Sequence, residues 1–395
     1  VEFFISYYDY YQPEAYIPQT DTYIEKDASI NKGIERLRLS ATNALLTRGD
    51  VIIVASVSCI YGLGSPEDYR AMVVELIPGR ELARDAMLER LVEIRYIRND
   101  FEPAPGTFRV RGDTVDIFPS YEQHGVRVVF FGDTVEKVRR IDTVTGNVQA
   151  DLPDAIISPA NHFVLPAAKV VPAIDAILAE LDTRLVEFQA AGKLIEAQRI
   201  KMRTMYDIEM LKETGYCAGI ENYSRHLSGR KPGEPPSTLI DYFTGPFLTI
   251  IDESHATIPQ LRAMYNGDQA RKGVLIEHGF RLPSARDNRP LNFEEFQRKV
   301  GQVIFTTATP GPFELGAASR PVPQIIRPTG LLDPPVTIRP LKGQIADVIL
   351  RDHPGEQVVV LGPIVKDRKG EYRKELTDAL RDGYLRARVD GELVQ

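Results

Sequence analysis

The stretch "FLTIIDESH" (residues 247–255) decides the fold class of this 395-residue chain. Its apolar run ends abruptly in Asp252 and Glu253, which is typical of a buried parallel strand that leads into a loop. A second stretch, "QVIFTTATPG" (302–311), repeats this pattern further along the chain. Because ligands bind at the carboxyl ends of parallel strands in open sheets, the two stretches predict an α/β fold with a site at that edge.

The two carboxylates are the strongest catalytic signal in the sequence. Nucleotide hydrolases hold Mg²⁺ and position the attacking water at the end of such a strand. We therefore predict that Asp252 holds magnesium through water and that Glu253 activates the attacking water, as in helicase-like motors. Thr307, Ala308 and Thr309 of the second stretch would couple the nucleotide state to the DNA path. Taken alone, each stretch is also explained by a plain strand and a solvated turn.

A phosphate-binding loop is missing from the sequence. The motif G-x-x-x-x-G-K-[ST], whose amides and lysine cradle nucleotide phosphates, does not occur. The stretch "GLGSP" (62–66) lacks the lysine, and "GRKPGEPPST" (229–238) has the wrong order. We therefore expect no tight ATP binding by this chain.

Tyrosines crowd the beginning of the chain, in "SYYDYYQPEAYIPQTDTY" (6–23). Pro13 and Pro18 exclude a central strand and a helix interior, so the stretch predicts a protruding two-stranded ribbon with residues 12–19 near its tip. Its rings would stack on bases, at about 1–3 kcal/mol per base, and Lys26 would contact phosphate. A ribbon that packs its tyrosines within the protein fits the composition equally well.

The middle of the chain has a different pattern. "GTFRVRGDTVDIFP" (106–119) and the residues after it alternate apolar and polar side chains between Gly-Asp turns, which predicts an antiparallel β module. Arg109 and Arg111 share one face of a strand, and Arg98 precedes them. An arginine row suits carboxylates across a protein interface, and a solvated strand face explains it as well.

Charge and cysteine content narrow the class of protein. The net charge of −7 argues against coating nucleic acid through bulk charge, although it allows a local groove. Cys59 and Cys217 have no zinc-type spacing, which indicates reduced thiols and a cytoplasmic protein. No apolar run is long enough to span a bilayer, so no membrane partner is expected.

Helical periodicity predicts helices over 32–48 and 167–214, the second interrupted at 190–193.

Together these motifs resemble the UvrB family, the damage-verifying component of the excinuclease in bacterial nucleotide excision repair. The resemblance covers residues from Val1 to about Ile345. It rests on long stretches of sequence: "SYYDYYQPEAY", "IEKDASIN", "RLRLSAT", "ASVSCIYGLG", "GTFRVRGD", "GYCAGIENYSRHLSGR", "DESH", "ATPG" and "RPTGLLDP".

The resemblance implies an α/β fold: an incomplete helicase-like parallel-sheet motor domain, a protruding β-hairpin and an inserted, mainly antiparallel β domain. The implied boundaries are 1–31 for the hairpin and its flanks, 32–71 for part of motor domain 1, 72–165 for the inserted UvrA-binding domain, 166–342 for the rest of motor domain 1 with a hairpin-supporting subdomain, and 343–395 for a UvrA-like segment.

The resemblance also implies function. The family verifies DNA damage with a hairpin that inserts between the strands; Tyr7 and Tyr8 would lie at its base. The remaining implied DNA-binding residues are Tyr10, Tyr11, Glu14, Tyr16, Tyr23 and Lys26. Arg98, Arg109 and Arg111 would face UvrA. The intact family protein would bind ATP and Mg²⁺, with Asp252 and Glu253 as its catalytic pair. It would receive damaged double-stranded DNA from UvrA and recruit UvrC.

Two departures from the family pattern stand out. The family's phosphate-binding loop would precede Val1, and its second motor domain would follow "RPTGLLDP". Instead, residues 358–395 resemble UvrA, another protein of the same excinuclease system, with a predicted helix over 368–376 and a strand over 384–391 that places Arg386 and Arg388 on one face. The chain therefore resembles a chimera, which a natural fusion, a deletion or an assembly artefact that joins two repair genes would each explain. The alternative function is a non-catalytic DNA- and UvrA-binding fragment without ATPase activity.

Overall fold

A computed structural model describes residues 1–324, 338, 342–359, 361–362, 372–384, 386–389 and 392–394. The chain divides into two compact units, Val1–Pro321 and Val322–Gln395. The motif "RPTGLLDP" (327–334) lies outside the described residues, as does the first part of the helix predicted over 368–376.

The first unit begins with short strands and one long helix. Helix α1 confirms the helix predicted over 32–48. It starts where the Asn31 side chain accepts hydrogen bonds from the amides of Gly33 and Ile34, and it buries Leu39 and Leu45. The elements of this region are β1 (Glu2–Phe4), β2 (Tyr8–Gln12), β3 (Ala15–Ile17), β4 (Thr22–Ile24), β5 (Asp27–Ile30), α1 (Lys32–Thr47), β6 (Ile53–Ala55) and α2 (Pro66–Ala71).

The predicted β module is confirmed as a six-stranded sheet in the order β13-β12-β11-β10-β9-β8. All its pairs are antiparallel except β8 with β9. Met87 and Leu91 of helix α3 belong to the same buried cluster as Val115 and Ile117 of the sheet. The elements are β7 (Val74–Leu76), α3 (Arg84–Glu93), β8 (Ile97–Arg98), β9 (Thr107–Arg111), β10 (Thr114–Phe118), β11 (His124–Phe131), β12 (Thr134–Asp142), β13 (Val148–Leu152) and β14 (Ala155–Ile157).

A helical hairpin follows the β module. Gly192, in the left-handed conformation at φ 71°, separates the two long helices, as the interruption predicted at 190–193 requires. Ile177 and Leu181 of the first helix share a buried cluster with Ile200 and Ile208 of the second. The elements are α4 (Ala167–Ala190), α5 (Leu194–Thr214) and α6 (Ser224–Leu227).

The two opening stretches form neighbouring parallel strands, as predicted. Strand β15 (Leu248–Ile251) pairs in parallel with β16 (Gln302–Phe305), and β1 pairs in parallel with β6. Each pair is a separate two-stranded sheet. The remaining elements are α7 (Ser254–Glu277), α8 (Phe293–Val300) and α9 (Pro312–Ala317). The first unit is therefore a mixed α/β fold.

The second unit contains short elements. They are α10 (Gln344–Asp352), α11 (Arg373–Arg381), β17 (Ala387–Val389) and β18 (Glu392–Val394), with β17 and β18 antiparallel. Helix α11 begins later than the helix predicted over 368–376. Strand β17 lies within the strand predicted over 384–391 and pairs with β18.

One partly buried contact makes the first unit sensitive to acid. The Nε2 atom of His162 lies 3.1 Å from Thr42 Oγ1. Because that hydroxyl already donates to the Leu39 carbonyl, Nε2 carries the hydrogen and donates. Burial of the ring, aided by the positive charge of Arg38, lowers the pKa of His162 to about 3.

This shift predicts a pH-dependent stability. An unfolded histidine takes up a proton near pH 6.5, whereas folded His162 stays neutral, so stability is lost as pH falls below about 6.5. The free energy of unfolding should fall by about 2 kcal/mol between pH 7 and 5. Urea titrations at both pH values measure this loss, and it should be smaller by that amount in His162→Gln. An equal loss in the variant would contradict the assignment.

Candidate nucleic-acid interface

The tyrosine-rich stretch forms a two-part antiparallel ribbon. Strand β2 pairs with β5 in the near part, and β3 pairs with β4 in the outer part. The tip is a 3₁₀ turn, Pro18–Thr20, followed by Asp21 at φ 48°. The tip therefore overlaps the end of the predicted range 12–19 and extends to Asp21. Pro13 interrupts the strand without reversing the chain, and the reversal occurs only where Asp21 takes a left-handed conformation.

The outer part of the ribbon packs against the protein itself. The Tyr23 ring stacks on Phe280 at 4.6 Å between centroids, with 5° between the planes. Its cross-strand neighbour Tyr16 lies 4.8 Å from Phe280 and 4.9 Å from His278. For these two tyrosines the packing alternative describes the structure, since Tyr23 has one face covered by Phe280 and Tyr16 makes tilted ring contacts with Phe280 and His278.

Glu14 holds the outer part of the ribbon against the rest of the first unit. The residue is 7% exposed, and its carboxylate accepts from Arg281 Nε at 2.8 Å and from the Tyr23 hydroxyl at 2.6 Å. The Glu14 carbonyl accepts from Arg271 at 2.8 Å. Glu14 was predicted to bind DNA. Its buried carboxylate is instead used within the protein, so its effect on DNA would be indirect, through the position of the ribbon.

The near part of the ribbon presents its rings to solvent. Tyr7, Tyr8 and Tyr11 form a tyrosine stack, with centroids 4.5 Å apart for the first pair and 4.6 Å apart for the second. Burial raises the pKa of the Tyr8 hydroxyl, which keeps the middle ring neutral. Tyr11, at the end of the stack, is 47% exposed, and Tyr10, which is not part of the stack, is 51% exposed. These two rings are the accessible aromatic surface of the near part.

A positive charge lies beneath the tyrosine stack. The Arg38 guanidinium sits 4.7 Å from the Tyr7 ring centroid and 3.7 Å from that of Phe4. It donates to the Ile5 carbonyl at 2.8 Å. Arg38 is 5% exposed, so it holds the base of the stack in place and does not reach solvent.

Lys26 is already paired. Its ammonium lies 2.9 Å from Glu221 Oε1, with both side chains partly exposed. Burial alone would lower the pKa of Lys26, but the Glu221 carboxylate raises it above its ordinary value. The predicted phosphate contact would have to compete with this pair, which as a partly exposed ion pair is worth about 0–1 kcal/mol.

The two predicted motor stretches meet at the carboxyl ends of β15 and β16. The Thr306 hydroxyl donates to Asp252 Oδ1 at 2.7 Å. His255 Nδ1 lies 2.7 Å from Thr307 Oγ1 and 3.3 Å from Glu253 Oε2. Asp252, Glu253 and Thr307 are thus brought together as predicted, whereas the role of Thr306 was not recognised in the sequence.

The backbone at this edge is unusual. Glu253 has φ 44°, a conformation that is rare for residues with a side chain, and its side chain is 62% exposed. Thr309 and Ala308 form a bend in which the Thr309 amide donates to Thr307 Oγ1 at 3.1 Å. The carboxylates of Asp252 and Glu253 and the neighbouring hydroxyls are the oxygen ligands that Mg²⁺ prefers. Within the described ranges no three His, Cys, Asp or Glu side chains are grouped as a ready-made metal site.

The predicted arginine row is only partly accessible. Arg98 is 56% exposed and pairs with Asp100, and Arg111 is exposed at the end of β9. Arg109 is only 11% exposed, because it donates to Asp116 on the neighbouring strand at 2.8 Å. Arg109 is therefore much less accessible to a partner than Arg98, and its predicted partner contact stays a prediction.

A hydrophobic residue missed in the sequence lies near these arginines in the chain. Phe101 is 96% exposed on the loop between β8 and β9. Asn99 Oδ1 fixes that loop by accepting from the amides of Phe101 and Glu102, each at 3.1 Å. A single phenylalanine in a loop gives no signal in the sequence.

No helix in the described part of the chain is long and apolar enough to cross a membrane.

Comparisons with known proteins match three regions of the chain. Residues 74–163 match the family model of the UvrB interaction domain, and residues 168–229 match the UvrB third helical domain. Residues 342–395 match the UvrA interaction domain, which confirms the resemblance of the last segment to UvrA.

Similar proteins cover most of the chain. The UvrABC system protein B of Geobacillus kaustophilus is 62% identical over 350 residues, which are 88% of this chain and 53% of that protein. The protein of the same name from Bacillus caldotenax gives the same identity and coverage. That of Halalkalibacterium halodurans is 56% identical over 391 residues, which are 98% of this chain and 59% of the relative. The chain thus spans just over half the length of these relatives, and over the region they match it is similar to UvrB proteins.

Proposed function

We propose that this chain serves bacterial nucleotide excision repair as a UvrB-type component that recognises and verifies damage in double-stranded DNA. The observation that carries the proposal is the pair of exposed rings, Tyr10 and Tyr11, on a ribbon held at both ends. Flat aromatic faces stack on any unpaired base, and damaged or mismatched bases are the least costly to unstack.

The anchoring of the ribbon supports this role. Its outer part is fixed by the Glu14–Arg281 pair and by Phe280, and its base rests on Arg38. A ribbon fixed in this way loses little conformational freedom on binding, so more of the stacking free energy contributes to affinity. Its rings can then act as a rigid wedge.

We propose UvrA as the protein partner, bound through the sheet of residues 74–163. The exposed Arg98 and Arg111 offer planar cations to carboxylates, and Phe101 offers an exposed apolar anchor. Recruitment of UvrC would follow in the assembled system.

We propose a cytoplasmic location. Burial raises the pKa of the Cys59 thiol to about 11 and that of Cys217 to about 12, which makes both thiols unreactive and suits the cytoplasm.

We propose a helicase-like origin for β15, β16 and their loops. Asp252 would hold Mg²⁺ through water and Glu253 would orient the attacking water on ATP in an intact family member. Thr307, Ala308 and Thr309 would link the site to the DNA path. Bound Mg²⁺ would supply charge neutralisation at the phosphates. The alternative is a DNA- and UvrA-binding fragment without ATPase activity, and it is supported by the lack of a phosphate-binding loop within these 395 residues.

We expect the polypeptide to release no phosphate from ATP above the rate measured with UvrA alone. The 395 residues contain no phosphate-binding loop that could hold the triphosphate near the two carboxylates. A steady-state assay with lesion-containing duplex, with and without UvrA, measures this. Substantial turnover that disappears in Glu253→Gln would show that a complete ATPase site exists.

The proposed function is tested by comparing a duplex that carries one bulky adduct with the same duplex undamaged. In the presence of UvrA, fluorescence anisotropy should give a dissociation constant about tenfold lower for the damaged duplex, because the adduct lowers the free-energy cost of unstacking a base. Equal retention on both duplexes would contradict a role in damage recognition.

A further inference from the structure

Helix α3, which packs on the β module, ends in an unusual way. The Tyr96 amide donates to the Leu91 carbonyl at 2.9 Å. The Arg95 amide donates to the Val92 carbonyl at 3.0 Å. This pair of bonds is the Schellman motif, whose left-handed position is usually glycine. Arg95 occupies that position with φ 73°, where a side chain is strained, so glycine would suit the backbone better than the arginine does.

The Arg95 side chain reaches the helical hairpin. Its Nη1 atom donates to the Thr214 carbonyl at 3.1 Å, and its Nη2 atom donates to the Gly215 carbonyl. These carbonyls stand at the C-terminal end of α5, where the last carbonyls lack partners within the helix and the helix dipole favours a cation. The planar fork of a guanidinium can serve both carbonyls at once. Arg95 therefore joins the ends of two helices.

Gly215 leaves room for the guanidinium. It follows α5 with φ 65°, the left-handed conformation that favours glycine. A Cβ atom at this position would lie 3.2 Å from Arg95 Nη2 and 3.5 Å from Nη1. The first distance is tighter than an ordinary van der Waals contact, so a side chain at position 215 would press on the guanidinium. The missing side chain thus permits the contact.

A rigid connection links Arg95 to an edge strand of the β module. Tyr96 is 2% exposed, and its hydroxyl donates to the Ser158 carbonyl at 3.1 Å. The next residues form β8, which carries Arg98 and pairs in parallel with β9. Because Tyr96 is fixed in the core, the main chain between Arg95 and Arg98 has little freedom. The Arg95 guanidinium thus holds the strand that presents Arg98 to a partner.

The segment after Gly215 connects this contact to the ribbon. Cys217 and Ile220 of this segment are buried in the core of the helical hairpin. Glu221, which follows them, pairs with Lys26 at 2.9 Å, and Lys26 lies between β4 and β5 of the ribbon. A continuous series of contacts therefore joins the β module to the ribbon through Arg95.

We propose that Arg95 is a positioning residue. It fixes the β module relative to the helical hairpin and the ribbon, so that a partner protein on the sheet and DNA on the ribbon are held in one arrangement. This role accounts for an arginine at a left-handed position, since glycine would relieve the strain but could not reach α5. The positioning rests on the contacts described above, whereas its consequence for DNA rests on the proposed function.

The test measures the distance between the β module and the helical hairpin in the full chain. Nitroxide labels are placed at Val144→Cys, where the side chain is 91% exposed after β12, and at Met202→Cys, 66% exposed on α5. Labelling at pH 7 spares the native thiols, because burial raises their pKa. Double electron–electron resonance should give one narrow distance distribution. In Arg95→Gly it should be at least about twice as broad, since relative motion is the default where domains are not tied together.

Three further variants make this result specific. Arg95→Asn suits the left-handed backbone but is too short to reach α5, and it should broaden the distribution equally. Arg95→Lys keeps a cation at the helix end and should give an intermediate width. Arg80→Ala removes an exposed arginine that pairs with Glu75 within the β module, and it should leave the distribution unchanged. A narrow distribution in both Arg95→Gly and Arg95→Asn would overturn the positioning role.

A binding measurement separates this inference from the proposed function. Arg95→Gly should bind UvrA as tightly as the unmodified chain, because Arg98 and Arg111 are untouched. With UvrA present, the ratio of dissociation constants for undamaged and damaged duplex should fall about 5-fold, as expected when two sites lose their coupling. An unchanged ratio beside a broadened distribution would overturn the consequence for DNA. If the unmodified chain itself does not distinguish the duplexes, the proposed function and that consequence both fail, and the distance measurement still decides the positioning role.

Discussion

Replacing Tyr10 and Tyr11 together by alanine should weaken binding to a lesion-containing duplex at least about 30-fold. Each ring that stacks on a base contributes about 1–3 kcal/mol, and two rings at the lower limit already give this factor. Both side chains are about half exposed, so their truncation leaves the core of the first unit intact. Fluorescence anisotropy of a labelled duplex measures the loss, and thermal unfolding checks the fold.

Two controls make this result specific. Tyr10→Phe with Tyr11→Phe keeps both aromatic faces and should bind nearly as tightly as the unmodified chain. Phe131→Ala removes a ring that is 80% exposed on the β module and should have no effect. Unchanged affinity in the double alanine variant would contradict the hypothesis that these rings stack on bases. An equal loss of affinity in the double phenylalanine variant would assign the effect to the hydroxyl groups.

Replacing Asp116 by alanine should lower the free energy of unfolding by about 3 kcal/mol, because it leaves two partly buried arginines without a counter-charge. Asp116 is 2% exposed and accepts from Arg109 at 2.8 Å and from Arg127 at 2.6 Å. Burial alone would raise the pKa of this carboxyl, but the hydrogen bonds from Arg127 and Arg109 hold it below its ordinary value. The stabilisation is therefore present at neutral pH and is lost in acid.

Urea unfolding followed by circular dichroism measures this effect. Arg111→Ala is the matched control, because Arg111 is exposed on the same sheet and its removal should change stability by no more than about 0.5 kcal/mol. Arg111→Ala should instead weaken UvrA binding. A loss below about 1 kcal/mol in Asp116→Ala, the cost of an average point mutation, would show that the buried charges do not depend on each other.

Local features of the fold were predictable from the sequence. Helix α1 was predicted because apolar residues recur at helical spacing, and the parallel pair β15 and β16 was predicted because two apolar runs end in polar loops. The break between α4 and α5 follows from Gly192, which takes a left-handed conformation. Each of these signals lies within a few residues of the feature it determines.

Long-range partners were not predictable. Glu14 pairs with Arg281, which lies 267 positions away, and no pattern in a single sequence connects them. Alternation correctly placed Arg109 and Arg111 on one face, but it could not show that Asp116 lies directly opposite Arg109 on the next strand. Whether a predicted site residue is exposed or paired within the protein therefore depends on side chains that are distant in sequence and adjacent only in the folded chain.

The central claim is that the exposed tyrosines of the ribbon contact bases, and a single tryptophan tests it most directly. The chain contains no tryptophan, so Tyr11→Trp introduces one reporter at the exposed end of the tyrosine stack. Stacking on a base should quench its emission, with saturation at the DNA concentration at which anisotropy saturates. Phe131→Trp should show no quenching. Binding by anisotropy with unchanged emission from Tyr11→Trp would contradict the account.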